Sequence, residues 1–201
     1  MKLNLVNFKN YKKAIEIQKE IFPDEDGTLN ILASLDRDLF MKKTGMFYDD
    51  DYVKYYIAFV NDEHIGITGI YRFQLDEAWL AWFGILPIHE HKGYGEKLLR
   101  ETMKMAKEQG DTTLRLYTDK VKNAKAIRLY EKLGFVGEKY SAEKVDYDCW
   151  IYSINLYNDK VTLWDNKNLN LIGQTELEQV DKQTLEKILK IYDELSKHQK
   201  K

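Results

Sequence analysis

The 201-residue chain has a single cysteine and only two prolines. One cysteine, Cys149, excludes an intrachain disulfide framework and fits a reducing compartment. Charge of one sign is also missing: 31 Lys and Arg stand against 33 Asp and Glu, a formal net charge of −2. The lysines are interleaved with acids rather than blocked, so the basic face or tail of a nucleic-acid or anionic-membrane binder is absent. No run approaches the roughly 18 uninterrupted apolar residues of a membrane span, and the opening MKLNLVNFKNYKKA lacks the apolar stretch of a signal peptide. There is no low-complexity linker and no internal repeat. These absences lead us to expect a cytoplasmic globular protein with no nucleic-acid partner, no membrane association and no metal. The length suits one domain, or one domain with an appendage, burying about 70% of the surface the unfolded chain exposes.

Tyrosine is abundant, with 14 residues, and the patterning is clear. Lys2–Val6 alternates as a short strand. Tyr11–Ile21 has helical spacing and stops before Pro23. Leu29–Lys43 is expected to be one helix, with Leu29, Leu32, Leu35, Leu39 and Phe40 on a stripe, broken by Asp49-Asp50-Asp51. Val53–Val60, Ile65–Phe73 and Ala78–Leu86 read as an antiparallel meander joined by short polar turns. The period then changes: Gly95–Gln109 is a helix, Thr112–Thr118 a strand, Asn123–Leu133 a helix stopped by Gly134. Phe135–Tyr140 and Cys149–Leu156 are strands. The order βααβββαβαββ is an α+β domain with one strand–helix–strand unit at its centre. After Tyr157 the character shifts. Val161–Trp164 and Leu169–Ile172 read as a hairpin, and Leu185, Ile188, Leu189, Tyr192 and Leu195 form a helical stripe. Residues 1–157 are therefore expected to be the domain, and 158–201 a hairpin-plus-helix appendage packed on it.

The segment Glu90-His91-Lys92-Gly93-Tyr94-Gly95-Glu96 follows a strand and opens a helix. Unpaired backbone N–H groups and the positive end of the helix dipole meet there, and the glycines allow a phosphate close approach. It is not a Walker loop, since no Gly-Lys-Ser/Thr follows. It is not the dinucleotide fingerprint either, since Leu98 stands where the third glycine belongs. Before it lies Ile85-Leu86-Pro87, and after one more strand comes Asn123-Ala-Lys-Ala-Ile-Arg-Leu-Tyr130-Glu-Lys-Leu-Gly134-Phe135. With both motifs in place, the sequence resembles the GNAT superfamily of acyl-CoA-dependent N-acyltransferases, closely over residues 80–136 and loosely over 1–157. One departure is Glu90, where the family places Arg or Gln. An acid is electrostatically unhelpful beside a pyrophosphate, but backbone N–H groups do most of the holding, and Lys92 and Lys97 are expected to restore positive potential.

The resemblance implies a layered α/β/α fold, with a mixed, mostly antiparallel sheet splayed in the middle and flanked by helices. It implies acetyl-CoA as co-substrate. Backbone groups of Phe83 and Ile85 would pair with the pantetheine arm, with Gly84 as a natural bulge position. The N–H groups over Gly93, Tyr94, Gly95, Glu96 and Lys97, with Lys92 beside them, would bind pyrophosphate. Asn123 would bond the pantetheine amides, and Tyr130 would protonate the departing thiolate. Without the resemblance, Tyr130 is a core-edge tyrosine and Asn123 a helix N-cap.

No general base is nominated. Glu77 lies about 20 Å along the strand from Phe83, reckoned at ~3.3 Å per residue; Asp119 is nearer, and His89 and His91 read as surface residues. The acceptor is expected to be a small-molecule or peptide amine, entering between the first two helices and the meander. Phe40, Phe47, Tyr48, Tyr71, Phe73, Trp79 and Trp82, with Asp49, Asp50 and Asp51 at the rim, would suit a cationic amine. A homodimer is compatible with this reading. Two other classes stay open: a non-catalytic acyl-CoA sensor of the same fold, and an interaction protein working through its C-terminal appendage.

Overall fold

The computed structural model describes residues 1–45, 52–74, 76–140, 148–164 and 180–198. Seven strands form one sheet: β1 (Lys2–Leu5), β2 (Tyr52–Val60), β3 (Glu63–Gln74), β4 (Glu77–Ile85), β5 (Thr113–Asp119), β6 (Val136–Lys139) and β7 (Cys149–Asn155). Their spatial order is β1-β2-β3-β4-β5-β7-β6. Six helices flank it: α1 (Tyr11–Ile21), α2 (Thr28–Leu35), α3 (Arg37–Thr44), α4 (Tyr94–Glu108), α5 (Ala124–Lys132) and α6 (Lys182–His198). No helix among the described residues is long and apolar enough to cross a membrane.

Both faces of the sheet are covered, which is why the central strands read as nearly continuous apolar runs. On one face Val53, Tyr55, Ile57, Ile67, Tyr71 and Trp79 pack with Ala14 and Ile17 of α1, Leu29 and Leu32 of α2, and Ile188 and Tyr192 of α6. On the other, Ile70, Ala78, Leu80, Leu114 and Leu116 pack with Leu99 and Ala106 of α4 and Ile127 and Tyr130 of α5. The layered α+β architecture expected from the motifs is the one observed.

The expected single helix over 29–43 is two helices. Asp36 takes an extended conformation, and its side chain accepts from the Leu39 N–H at 2.9 Å, capping α3. Such a cap contributes about 1 kcal/mol, enough to restart a helix in a new direction. Gly45, at φ +72°, ends α3. The Asp49–Asp51 run, expected to do so, lies outside the described residues.

Residues 161–164 of the expected C-terminal hairpin are not in strand, and its second half lies outside the described residues. What precedes and follows is firmly seated. Trp164 is buried edge-on against Trp79, with ring centroids 5.0 Å apart. Arg115, itself buried, bonds Ser153 Oγ at 2.6 Å and the Thr162 carbonyl at 2.8 Å. The Tyr11 hydroxyl donates to Asp193, which also pairs with Lys12 at 2.7 Å, tying α6 to α1.

All neighbouring strands are antiparallel except β4 and β5, which run parallel. They pair only over Glu77–Trp79 with Thr113–Arg115 and then diverge. The expected splay in the middle of the sheet is this divergence.

Candidate active site

The divergence opens a cleft of about 420 Å³. Leu80–Phe83 of β4 form one wall and Leu116–Asp119 of β5 the other; Tyr55 of β2 and Tyr71 of β3 also line it. Lys122, Asn123, Ala126 and Tyr130 enter from α5 and the turn before it, Phe22 and Glu25 from the chain joining α1 to α2, and Asn30 from α2.

A β-bulge sets the shape. Between the pairs Ile67–Gly84 and Gly69–Ala81, β4 has one more residue than β3. Trp82 sits in this excess with φ +39°, a conformation that costs a bulky L-residue about 1–3 kcal/mol. The bulge was expected at Gly84 and falls at Trp82. Gly84 is glycine for a different reason: a Cβ there would collide with the Ile21 side chain at the end of α1. Close packing of helix on strand, rather than a bent backbone, requires the missing side chain.

Tyr130 lines the cleft and is 6% exposed, packed beside Phe83, Phe135 and Tyr152 at centroid distances of 6.3, 5.7 and 6.1 Å. Burial alone raises its pKa well above the ordinary value near 10, so it carries its proton throughout the neutral range. Its hydroxyl has no hydrogen-bond partner among the described residues. Asn123 stands at the N-cap of α5 without capping it; its Nδ2 donates instead to Thr118 Oγ1 at 2.9 Å. That bond faces its amide across the cleft towards β5.

Phe83, Asn123 and Tyr130 thus meet in one cleft, while Ile85 and residues 92–97 lie beyond its lining. Ile85 pairs with Gly66 at the end of β4 and packs beside Leu98. Lys92, Gly93, Tyr94, Gly95, Glu96 and Lys97 build the turn into α4. His91 and Gly93 both take left-handed conformations, at φ +59° and +76°. No side chain caps the helix, and a Cβ at Gly93 would meet no atom within 4 Å. An open concavity with several outward N–H groups at a helix start fits a pyrophosphate.

The charges around this turn are arranged differently from expectation. Lys92 donates to the Ile88 carbonyl at 3.1 Å, and Lys97 lies beside the Met1 amino group, lowering its pKa. The acids are offset from α5 and from within α4: Glu90 pairs with Lys125 at 2.6 Å, and Glu96 with Lys132 at 2.6 Å and Arg100 at 2.9 Å. The pairing holds Glu96 below the usual carboxylate range.

Of the acids considered from sequence, Glu77 is engaged elsewhere, 2.8 Å from Arg115 and accepting from Trp79 Nε1 at 3.0 Å. Asp119 lines the cleft, but its Oδ1 accepts from the Val121 and Lys122 N–H groups at 2.8 and 3.0 Å. His89 and His91 are outside it. Tyr71 and Trp82 border the cleft as expected, whereas Phe40 and Trp79 are core residues with no exposure. Phe47, Tyr48 and Asp49–Asp51, and the Phe73 side chain, lie outside what is described.

Sequence reasoning missed Glu25. It follows Pro23 in a polar stretch, with no periodicity to aim it inward. Loss of water around its carboxyl, reinforced by Asp24 and opposed by Lys122, raises its pKa above the ordinary value. Among the described residues no group of His, Cys, Asp or Glu side chains is arranged to hold a metal ion.

A sheet opened between two parallel strands, with an uncapped helix start at its end, defines the acyl-CoA-dependent acyltransferase class. The family model described as "Acetyltransferase (GNAT) family" matches residues 12–135, and the chain belongs to this family. It is therefore an acyltransferase. No curated protein matches it. Among solved structures it resembles spermidine N-acetyltransferase from Vibrio cholerae in complex with CoA and spermine, at 16% identity and TM-score 0.57, covering 77% of this chain and 95% of that one. It also resembles the ribosomal-protein-S18-alanine N-acetyltransferase from Escherichia coli, at 19% identity and TM-score 0.55, covering 85% and 99%. A third is an IAA acetyltransferase from Bacillus cereus, at 15% identity and TM-score 0.52, covering 77% and 98%. At these identities the likeness is one of fold.

Proposed function

We propose that the protein transfers an acetyl group from acetyl-CoA to a primary amine by direct attack within a ternary complex. The observation that carries this is the cleft itself. It brings a buried, protonated and unpartnered tyrosine hydroxyl, Tyr130, to the gap between β4 and β5. Phe83 lines the gap, and the turn at Gly93 lies open beyond its lining.

In this reading, the N–H groups of residues 93–97 hold the pyrophosphate, and the charges of Glu90 and Glu96 are offset by their lysine partners. Backbone groups of Phe83 and Ile85, freed where β4 and β5 part, hold the pantetheine arm as a neighbouring strand would. The Asn123 amide, anchored on Thr118, reaches the same arm. Acetyl-CoA supplies an activated thioester. The chain's contribution is to fix it, exclude water with aromatic walls, and keep a proton on Tyr130 Oη for the leaving thiolate. All these residues fall between 22 and 130, so residues 1–157 hold the catalytic machinery and 158–201 form a structural extension.

The similar structures are named for spermidine, for an alanine of ribosomal protein S18 and for IAA, and fold alone does not choose among such acceptors. The test is a steady-state velocity pattern with acetyl-CoA and amine varied together, using spermidine, tyramine and a peptide with a free N-terminal alanine. Intersecting lines are expected with at least one of them. Parallel lines would replace the ternary complex with a covalent acetyl-enzyme.

A further inference from the structure

The chain joining α1 to α2, residues 22–27, lends Phe22 and Glu25 to the lining of the cleft, and it is held by several contacts. Gln18, on α1, has no exposed surface. Its side chain uses both ends of its amide on this segment: Nε2 donates to the Glu25 carbonyl at 3.2 Å, and Oε1 accepts from the Gly27 N–H at 3.1 Å. A buried amide makes such bonds only where the backbone is already in place, and the bonds then hold it there.

The same segment is seated on the bulge. Phe22 meets Trp82 edge-on at 5.2 Å, and a Cβ on Gly27 would come within 2.7 Å of the Trp82 indole. Asp26 completes the hold, accepting from the Thr28 N–H at 2.9 Å and pairing with Lys19 at 3.3 Å. The segment is thus held at Phe22, the Glu25 carbonyl, Asp26 and the Gly27 N–H, while the Glu25 side chain takes no part in these contacts. Glu25 lines the cleft, and its carboxylate accepts no hydrogen bond from another described residue. Lys122, on the same cleft, is the cation whose charge acts on it. Phe22, Trp82, Tyr55 and Tyr71 line the cleft with it.

We infer that Glu25 is the carboxylate that receives the acceptor's ammonium, that the acceptor carries this ammonium on an apolar or aromatic stem lying among those rings, and that Gln18 is the positioning residue that holds Glu25 there. A carboxylate opposite a primary ammonium gives a charge-assisted hydrogen bond, and the rings cover the stem and the cation's edges. The inference rests on the acetyltransferase reading for the identity of the ligand as an acceptor. Its test does not depend on turnover.

The experiment is calorimetric titration of tyramine, and separately spermidine, into the protein saturated with CoA. The wild type is expected to bind at least one of them. Glu25→Gln, a change at an exposed residue that keeps shape and removes charge, is expected to weaken that binding about 10- to 100-fold, with CoA affinity unchanged. Gln18→Met keeps the bulk and removes both bonds. It is expected to weaken amine binding at least several-fold, leave CoA affinity unchanged, and speed hydrogen exchange at the Gly27 amide. A wild type that binds neither amine overturns the inference, as does equal binding by Glu25→Gln. Equal loss of amine and CoA affinity in Gln18→Met overturns the positioning role. Acetyl transfer to the same amines, measured alongside, decides the acetyltransferase reading separately.

Discussion

Tyr130 shows how one residue's environment decides its chemistry. A tyrosine on the inner face of α5 would ordinarily be a packing residue, and its ring is in fact packed on three sides. Its hydroxyl, however, opens on the cleft, and burial keeps it protonated. Tyr130→Phe removes that proton and little else. Turnover is expected to fall about 10²–10⁴-fold, with acetyl-CoA affinity and folding stability nearly unchanged, because the lost hydroxyl has no hydrogen-bond partner among the described residues to strand. Steady-state kinetics beside a binding isotherm checks this; unchanged turnover would take Tyr130 out of the mechanism.

At the scale of elements, the decisive feature is the turn into α4. Gly93 is glycine because φ is +76°, and a Cβ there would project into open space, which the proposed function gives to the pyrophosphate. In Gly93→Ala the left-handed backbone costs about 1–2 kcal/mol, and the new methyl points into the concavity. Acetyl-CoA affinity is expected to fall at least tenfold, with the melting temperature lowered by only a few degrees. Full affinity in the variant would displace the pyrophosphate from this turn.

This turn was legible in the sequence because Gly93, at φ +76°, is a local necessity, as were the helix at Asn123–Gly134 and the meander. Tyr130 and Asn123 were legible by the motif they sit in. Elements whose reasons are long-range were not. Asp36 divides a helix that apolar periodicity alone would continue. Gly84 answers to Ile21, some sixty positions earlier, and so looked like a bulge. Glu25 reaches the cleft only because Gln18, Phe22 and Trp82 hold its segment there, which no spacing in the chain encodes. Lys125 and Lys132 neutralise Glu90 and Glu96 from another helix, so the nearer Lys92 and Lys97 seemed better placed.

For the whole molecule, α6 and the segment ending at Trp164 belong to the main core rather than resting on its surface. Tyr11 and Tyr192 pack in this core, and they and Tyr130 on the other face all have pKa values raised, chiefly by burial, with Asp193 adding to Tyr11 and Asp36 to Tyr192. In the unfolded chain they ionise near pH 10, while in the folded chain they do not. Above about pH 10 the folded state therefore binds more protons than the unfolded one, and stability falls as pH rises. The urea midpoint is expected to be flat from pH 7 to 9 on this account and to drop steadily beyond pH 10. Tyr130→Phe, with one such group fewer, should drop less steeply. An equal slope in both proteins would place the alkaline transition elsewhere.

The account stands or falls on whether this fold, with its open sheet and its protonated tyrosine, moves an acetyl group. The direct measurement is the CoA thiol and the acetylated amine formed together when the protein meets acetyl-CoA and each of spermidine, tyramine and an N-terminal-alanine peptide. The account predicts equal amounts of the two products, above the uncatalysed rate, with at least one of these amines. Tight binding of acetyl-CoA with no acetylated product from any of them would contradict it and make the protein a sensor of acyl-CoA.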